Sequence, residues 1–272
     1  MDEVITLQKT LKEHKITPSK RYGQNFLVND HIVYNIIRSL GNVKNKNILE
    51  IGPGIGALTN HLLKTDIKSL LVVEIHKKII PILDKIKLTT NKDFKIIHDD
   101  ALKIEEEKVI HGRYTIVANL PYNISTLLLV KWLKKLEYVD EIIIMLQKEV
   151  AHRILSSPSS HSYGRLSVLS QFTCHCELLF DVEPENFFPI PRVTSSIIKL
   201  TPKKIQPSIE SINSIEATCK NLFNFRRKKI NKALNQILNN STAMLKELKI
   251  DCNKRAEQLT VDEFFQISRM SS

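Results

Sequence analysis

Residues 47–59 read NILEIGPGIGALT. Asn47 to Ile51 is a short apolar run of strand character. It empties into Gly52, Gly54 and Gly56, after which Ala57-Leu58-Thr59 begins a helical pattern. Glycines at such a junction let the backbone turn tightly and let a ligand approach where a Cβ would stand in its way, while the helix start offers free N–H groups. The next strand, Ser69 to Ile75, carries Glu74 at 22 residues beyond Gly52, a place from which an acid accepts hydrogen bonds from ribose hydroxyls. The pattern fits a nucleotide-like ligand. It also satisfies the G-x-G-x-x-A of a dinucleotide-binding dehydrogenase, and these residues alone leave both readings open.

Outward from this motif, from about Lys46 to Leu200, short apolar strands alternate with helical stretches. Further strands are expected at Phe94 to His98, Tyr114 to Asn119 and Glu141 to Gln147, with helical spacing in HKKIIPILDKIKL and STLLLVKWLKKL. Such alternation implies right-handed crossovers and a mostly parallel sheet covered on both faces. The runs LSQFTCHCELLF and TSSIIKL follow without an intervening helix. They are expected to form an antiparallel hairpin at one edge, joined through the Pro-rich FFPIPRV. Past Pro202 only helical segments remain: ATCKNLFNF, RKKINKALNQIL and VDEFFQIS. The expected fold is α/β, a Rossmann-like sheet domain over residues 1–202 followed by a small all-helical domain over 203–272.

A chain of 272 residues with 42% hydrophobic content can bury a full core, and its net charge of +11 points to a polyanionic partner or an anionic membrane surface. The basic character is concentrated in residues 201–272, where 13 Lys and Arg face 7 Asp and Glu. Its sharpest feature is Arg226-Arg227-Lys228-Lys229. These cations are expected to open a helix whose Ile230, Leu234, Ile237 and Leu238 form a buried stripe, and they read either as an anion-binding cluster or as a solvated face. The opening MDEVITLQKTLKEHK lacks the apolar core of a secretory signal, and no run approaches the roughly 18 apolar residues of a spanning helix. A cytoplasmic protein is expected. Cys174 and Cys176 sit two apart in a strand-like run, Cys219 and Cys252 stand alone, and all four read as reduced packing residues with no metal site.

The ends of the later strands separate the two readings of the glycine motif. The third strand ends in Asp99-Asp100-Ala101, where a carboxylate can accept from an adenine amino group or cap the next helix. The fourth ends in Asn119-Leu120-Pro121-Tyr122. That ordering suits S-adenosyl-L-methionine better than a hydride carrier. The exocyclic amine of adenine is a poor nucleophile, because its lone pair is delocalised into the ring. Asn119 can accept one of its N–H groups through the side-chain oxygen and Leu120 the other through its carbonyl, which Pro121 restrains. Tyr122 offers a flat face for a flipped-out base, worth about 1 to 3 kcal/mol. Either Phe187 or Phe188, on a loop stiffened by prolines, can cover the second face.

Taken together, KRYGQNFL (20–27), EIGPGIGALT, NLPYNIS, QKEVAHRI, YGRLSVL, FFPIPRV, FNFRRKKINKAL and RAEQLT (255–260) resemble the KsgA-type small-subunit ribosomal RNA adenine dimethyltransferases over nearly the whole chain. Several of these motifs are shared with large-subunit rRNA adenine methyltransferases. The tail pattern RRKKINKAL followed by RAEQL-x-x-x-EF is similar to the small-subunit branch alone. The resemblance implies transfer of methyl groups from S-adenosyl-L-methionine to N6 of two adjacent adenines in the last hairpin loop of 16S rRNA, within the small subunit or its precursor. A ribosome-assembly checkpoint role, in which binding matters more than catalysis, is the alternative from another class. The resemblance further implies that Asn25 and Leu27, in an N-terminal segment spanning 1–45, close over the cofactor, and that Gly52, Gly54, Glu74 and Asp100 line it. Asn119 then meets both cofactor and target, and Tyr122 and Phe187 stack the adenine, Phe187 being chosen by the pattern F-x-P-x-P. Arg226, Arg227 and Lys228 dock on the ribosomal particle, and a monomer is expected. Tyr22, where Phe is usual, and the doubled acid Asp99-Asp100 are the departures.

Overall fold

A computed structural model describes residues 2–18, 24–235 and 241–270. Lys20, Arg21, Tyr22 and Gly23 of the first family motif lie outside these, as do Ile237 and Leu238 of the expected stripe. α1 (Asp2–Glu13), β1 (Phe26–Leu27) and α2 (Asp30–Ser39) precede the glycine motif. There follow β2 (Asn47–Ile51), α3 (Ala57–Leu62), β3 (Ser69–Glu74), α4 (Ile80–Lys87) and β4 (Asp93–His98). Next come α5 (Glu106–Val109), β5 (Tyr114–Asn119), α6 (Tyr122–Leu133) and β6 (Val139–Gln147). The alternation then breaks into α7 (Lys148–Leu155), α8 (Arg165–Thr173), β7 (Cys174–Val182), β8 (Phe187–Phe188) and β9 (Ser195–Pro202). Helices α9 (Ile209–Asn224), α10 (Ile230–Leu234), α11 (Ser241–Glu247) and α12 (Val261–Met270) complete it.

The strands form a seven-stranded sheet in the order β4-β3-β2-β5-β6-β9-β7. β2, β3, β4, β5 and β6 run parallel, β9 lies antiparallel to β6, and β7 flanks β9 at the edge. β2, β3, β5 and the body of β6 read as apolar runs because both of their faces are buried, whereas β4 at the edge exposes Asp93, Lys95 and His98. Ile48, Leu70, Val72, Val117 and Ile143 share one cluster with Val33 and Ile36 of α2, Leu58 and Leu62 of α3, and Leu83 of α4. A buried carboxylate, Glu141 on β6, is held between Lys46 at 2.7 Å and Lys199 at 2.5 Å, so two ammonium groups offset its desolvation. The chain leaves β2 toward β3 and β4 on one side, and later fills β5 and β6 on the other. A crevice therefore opens at the carboxyl ends between β2 and β5, the place where ligands bind in sheets of this topology.

By contacts the chain divides into two compact units. The first comprises Met1–Lys131, Glu137–Lys148 and Glu177–Thr201; the second comprises Trp132–Leu136, Glu149–Cys176 and Pro202–Ser272. In the second, Phe223 stacks on Phe264 at 5.4 Å between ring centres and takes the edge of Tyr163 at 6.3 Å, while α9 buries Ile212, Ile215, Cys219 and Leu222. No helix among the described residues is long and apolar enough to cross a membrane.

Two expectations are corrected. LSQFTCHCELLF is not a strand throughout. Its first half belongs to α8, where Leu166, Ser167, Val168, Leu169 and Ser170 are all buried, so no one-sided helical period marks the sequence. The Ser167 hydroxyl accepts from Gly164 N at 3.0 Å and starts that helix; the strand begins at Cys174. Nor does Arg226-Arg227-Lys228-Lys229 open a helix. Arg226 to Lys228 form a turn after α9, and Lys229 is the extended cap before Ile230. The four cations therefore do not stack on one helix dipole.

Candidate active site

The crevice is lined from four successive strand ends. After β2, Gly52 N donates to Val73 O at 3.0 Å, which carries the ladder one residue further, and the chain then turns through Gly52 at φ +68° and Gly54 at φ +55°. This is the left-handed region that glycine adopts without penalty. A Cβ on Gly54 would stand 3.1 Å from the Phe26 ring. Both the turn and the closeness of β1 therefore depend on glycine there.

At the end of β3, Glu74 is buried and its carboxylate is already oriented: Oε2 accepts from Gly54 N at 3.3 Å and Oε1 from His76 N at 2.8 Å. Burial raises its pKa, and these hydrogen bonds oppose the rise. After β4, Asp99 is exposed and accepts from Asp100 N at 2.7 Å, while Asp100 is half-buried and accepts from Leu102 N at 3.0 Å. Both line the crevice.

β5 ends at Asn119, whose side chain is half-buried, and Leu120 is buried beneath it. Pro121 brings the chain into α6, its carbonyl accepting from Ile124 N at 3.1 Å and Ser125 N at 3.2 Å. Tyr122 opens α6, and burial raises the pKa of its hydroxyl, which shares a 2.8 Å hydrogen bond with Ser195 of β9. The last wall is a two-stranded antiparallel ribbon outside the main sheet, where Phe26 pairs with Phe188 and Leu27 with Phe187.

The crevice thus gathers Asn25, Leu27, Gly52, Gly54, Glu74, Asp100, Asn119, Leu120, Pro121, Tyr122 and Phe187, all within the first unit. Arg226, Arg227 and Lys228 lie in the second. There Arg226 is engaged, Nε with Glu257 at 2.7 Å and a terminal nitrogen with His161 O at 2.6 Å. Arg227 is exposed, and the Lys228 ammonium sits 4.8 Å from the Phe225 ring centre.

Glu50, the first residue of the glycine motif, has a part that sequence reasoning did not give it. It is fully buried at the crevice. Its Oε2 accepts from the Thr59 hydroxyl at 2.7 Å, while Oε1 has no hydrogen-bond partner among the described residues. Burial, with Glu74 adding to it, pushes its pKa up to about 8. Its place in EIGPG was the visible signal, but burial was not. Ser195 had no signal in the sequence, because its partner Tyr122 is distant in the chain.

The lining holds the carboxyl groups of Glu50, Glu74, Asp99 and Asp100 and no Lys or Arg among the described residues. Such a crevice suits a ligand with ribose hydroxyls and a net positive charge. Fold and crevice together are those of a Rossmann-like methyltransferase. The chain belongs to the ribosomal RNA adenine dimethylase family, which residues 16–272 match. It is 40% identical over 258 residues to Ribosomal RNA small subunit methyltransferase A of Legionella pneumophila (strain Corby), covering 94% of this chain and 98% of the relative. It is 37% identical over 254 residues to the protein of the same name from Wolbachia sp. subsp. Drosophila simulans (strain wRi), covering 93% of each. The crystal structure of a dimethyladenosine transferase from Plasmodium falciparum superposes with a TM-score of 0.75 at 24% identity, covering 88% of this chain and 94% of that one, and so shares the fold.

Proposed function

We propose that this enzyme transfers methyl groups from S-adenosyl-L-methionine to N6 of two adjacent adenines in the 3′-terminal hairpin loop of 16S rRNA, dimethylating each during small-subunit maturation. The observation that carries the reading is the placing of Asn119-Leu120-Pro121-Tyr122 in the same crevice as the glycine turn and Glu74. The cofactor, when bound, supplies a methyl group on a sulfonium. Gly52 and Gly54 admit it, Glu74 takes ribose hydroxyls, Asp100 reads its base, and Asn25 and Leu27 cover it. Asn119 Oδ1 and the Leu120 carbonyl accept the two N–H groups of the target amine and free its lone pair for attack. Leu120 is anchored by its buried side chain and Pro121 by the first hydrogen bonds of α6, so both acceptors stand on fixed backbone. Tyr122 and Phe187 hold the base between them. The methylated amine sheds its proton easily, so the residues act mostly by positioning.

The segment 1–202 is the methyltransferase part and 203–272 the part that docks on the ribosomal particle, through Arg227 and Lys228 above all. The protein works as a cytoplasmic monomer. The test is transfer of labelled methyl from S-adenosyl-L-methionine to small subunits that lack the modification, with mass spectrometry locating two dimethyladenines. Asn119→Ala should abolish transfer while leaving the thermal unfolding curve in place. Full activity in that variant, or methylation of naked 23S rRNA in preference to small subunits, would refute the reading.

A further inference from the structure

The ribbon of β1 and β8 has two residues in each strand, too few to hold its own register, since isolated pairings of this size are marginal. What fixes it lies just beyond its end. Val28 N donates to Asn186 O at 2.9 Å, and Asn29 Nδ2 donates to Asn186 Oδ1 at 2.7 Å. Each amide also holds its own segment. Asn29 Oδ1 accepts from His31 N at 2.9 Å and caps α2, and Asn186 Nδ2 donates to Glu183 O at 2.9 Å. Glu183 in turn accepts from Thr194 at 2.9 Å and closes the base of the loop that carries Phe187. Two side chains 157 residues apart thus tie the segment entering α2 to the segment entering Phe187.

We propose that Asn29 and Asn186 form a clasp through which occupation of the cofactor crevice sets the position of Phe187, so that Asn186 is a positioning residue for the target base. The proposal rests on the reading of Asn25 and Leu27 as cofactor-facing and Phe187 as base-stacking. Leu27 and Phe187 are register partners that both line the crevice. A ligand that contacts Leu27 only when the ribbon is closed therefore favours the arrangement in which Phe187 is also fixed. By reciprocity, a base held against Phe187 raises affinity for the cofactor. Binding of the two substrates becomes coupled through two amides that touch neither reacting atom.

The test is hydrogen exchange of the full chain with and without S-adenosylhomocysteine, comparing peptides that cover Gly52–Gly54, residues 24–29 and residues 186–189. In the parent protein the ligand should slow exchange in all three, by about fivefold or more at 186–189, the lower end of ordinary site-to-site coupling. Asn29→Ser keeps a hydroxyl to cap α2 but cannot reach Asn186, and Asn186→Ala removes the other half. In both variants the ligand should still protect Gly52–Gly54 and lose its effect at 186–189. The Michaelis constant for small subunits should rise about tenfold while the dissociation constant of S-adenosylhomocysteine stays within about twofold. A purely structural role would instead speed exchange at 186–189 but leave the ligand's protective effect there intact, which overturns the clasp. Protection of Gly52–Gly54 without protection of 186–189 in the parent, or unchanged coupling in both variants, overturns the clasp. No protection at Gly52–Gly54 in the parent overturns the cofactor crevice and the clasp with it.

Discussion

The hydroxyls of Tyr122 and Ser195 stand 2.8 Å apart, which joins the first residue of α6 to the first residue of β9. Ser195 is fully buried and Tyr122 half-buried, so the bond holds the phenol edge inside the sheet and leaves the rest of the ring toward the crevice. Ring and hydroxyl have separable tasks. Tyr122→Phe keeps the stacking face and should cost about 1 kcal/mol of stability, the worth of one hydrogen bond, with methyl transfer within a few-fold of the parent. Tyr122→Ala removes the face and should lower single-turnover transfer by about 5- to 150-fold, as expected for about 1 to 3 kcal/mol of stacking. Equal losses in the two variants would assign the hydroxyl, not the ring, to catalysis.

Gly41 and Gly54 make a matched pair. Both adopt left-handed φ, +62° and +55°, but a Cβ on Gly41 meets nothing within 4 Å, whereas one on Gly54 stands 3.1 Å from the Phe26 ring. Alanine at either position should therefore lower stability by about 1 to 2 kcal/mol through backbone strain alone. Only Gly54→Ala puts a methyl group in the cofactor turn and against the Phe26 ring, which must give by a few tenths of an ångström. Calorimetric titration should show its dissociation constant for S-adenosylhomocysteine raised about tenfold or more, with Gly41→Ala binding as the parent does. Equal affinity in both variants would remove Gly54 from the cofactor turn.

Glu50 carries a stability cost that depends on pH. An unfolded glutamate ionises near 4.5, while burial pushes this one up to about 8, so between those values the folded state holds a proton that the unfolded state has released. Folding stability consequently falls as pH rises through that window, is free of the cost below it and bears it fully above it. Glu50→Gln keeps an oxygen for the Thr59 hydroxyl and carries no charge. Denaturant unfolding at a series of pH values should show the variant more stable than the parent by a few kcal/mol, on the order of the linkage slope of 1.4 per pH unit, near pH 8. The advantage should vanish near pH 4.5. A constant difference across the range would mean that Glu50 stays ionised in the folded protein.

What the sequence disclosed and what it withheld divide along a physical line. β2, β3 and β5 were legible because each is a short apolar run closed by a chemical signature, as in EIGPG or NLPY, and residue order along the strand carries that signature. The residues of the crevice were legible for the same reason, since the carboxyl ends of neighbouring strands converge. α8 was misread because a helix buried on every side has no period to show. The worth of Glu50 was hidden because an unpartnered oxygen is a property of burial. Asn29 and Asn186 were hidden because no pattern links two amides 157 residues apart.

The same line runs through the basic cluster, which sequence alone treated as a unit. Arg226 is half-buried, bonded to Glu257 and to the His161 carbonyl, and so belongs to the frame of the second unit. Lys229 donates to Asn253 at 2.7 Å. Arg227 and Lys228 are exposed, and of these Lys228 rests on Phe225 by its ammonium. Each phosphate contact that an exposed cation makes releases counterions, so affinity falls with salt in proportion to the number of contacts. Arg227→Ala and Lys228→Ala should therefore each weaken binding to small subunits and flatten the slope of log affinity against log salt by about one, with unfolding unchanged. Arg226→Ala should instead lower stability, by about 1 kcal/mol since the pair is partly exposed to solvent. Its salt slope should stay within about 0.3 of the parent's, because an arginine already neutralised by Glu257 releases no counterion at a phosphate. A flattened slope in Arg226→Ala equal to that of Arg227→Ala would mean that the ion pair opens on the particle and that all three cations face the RNA.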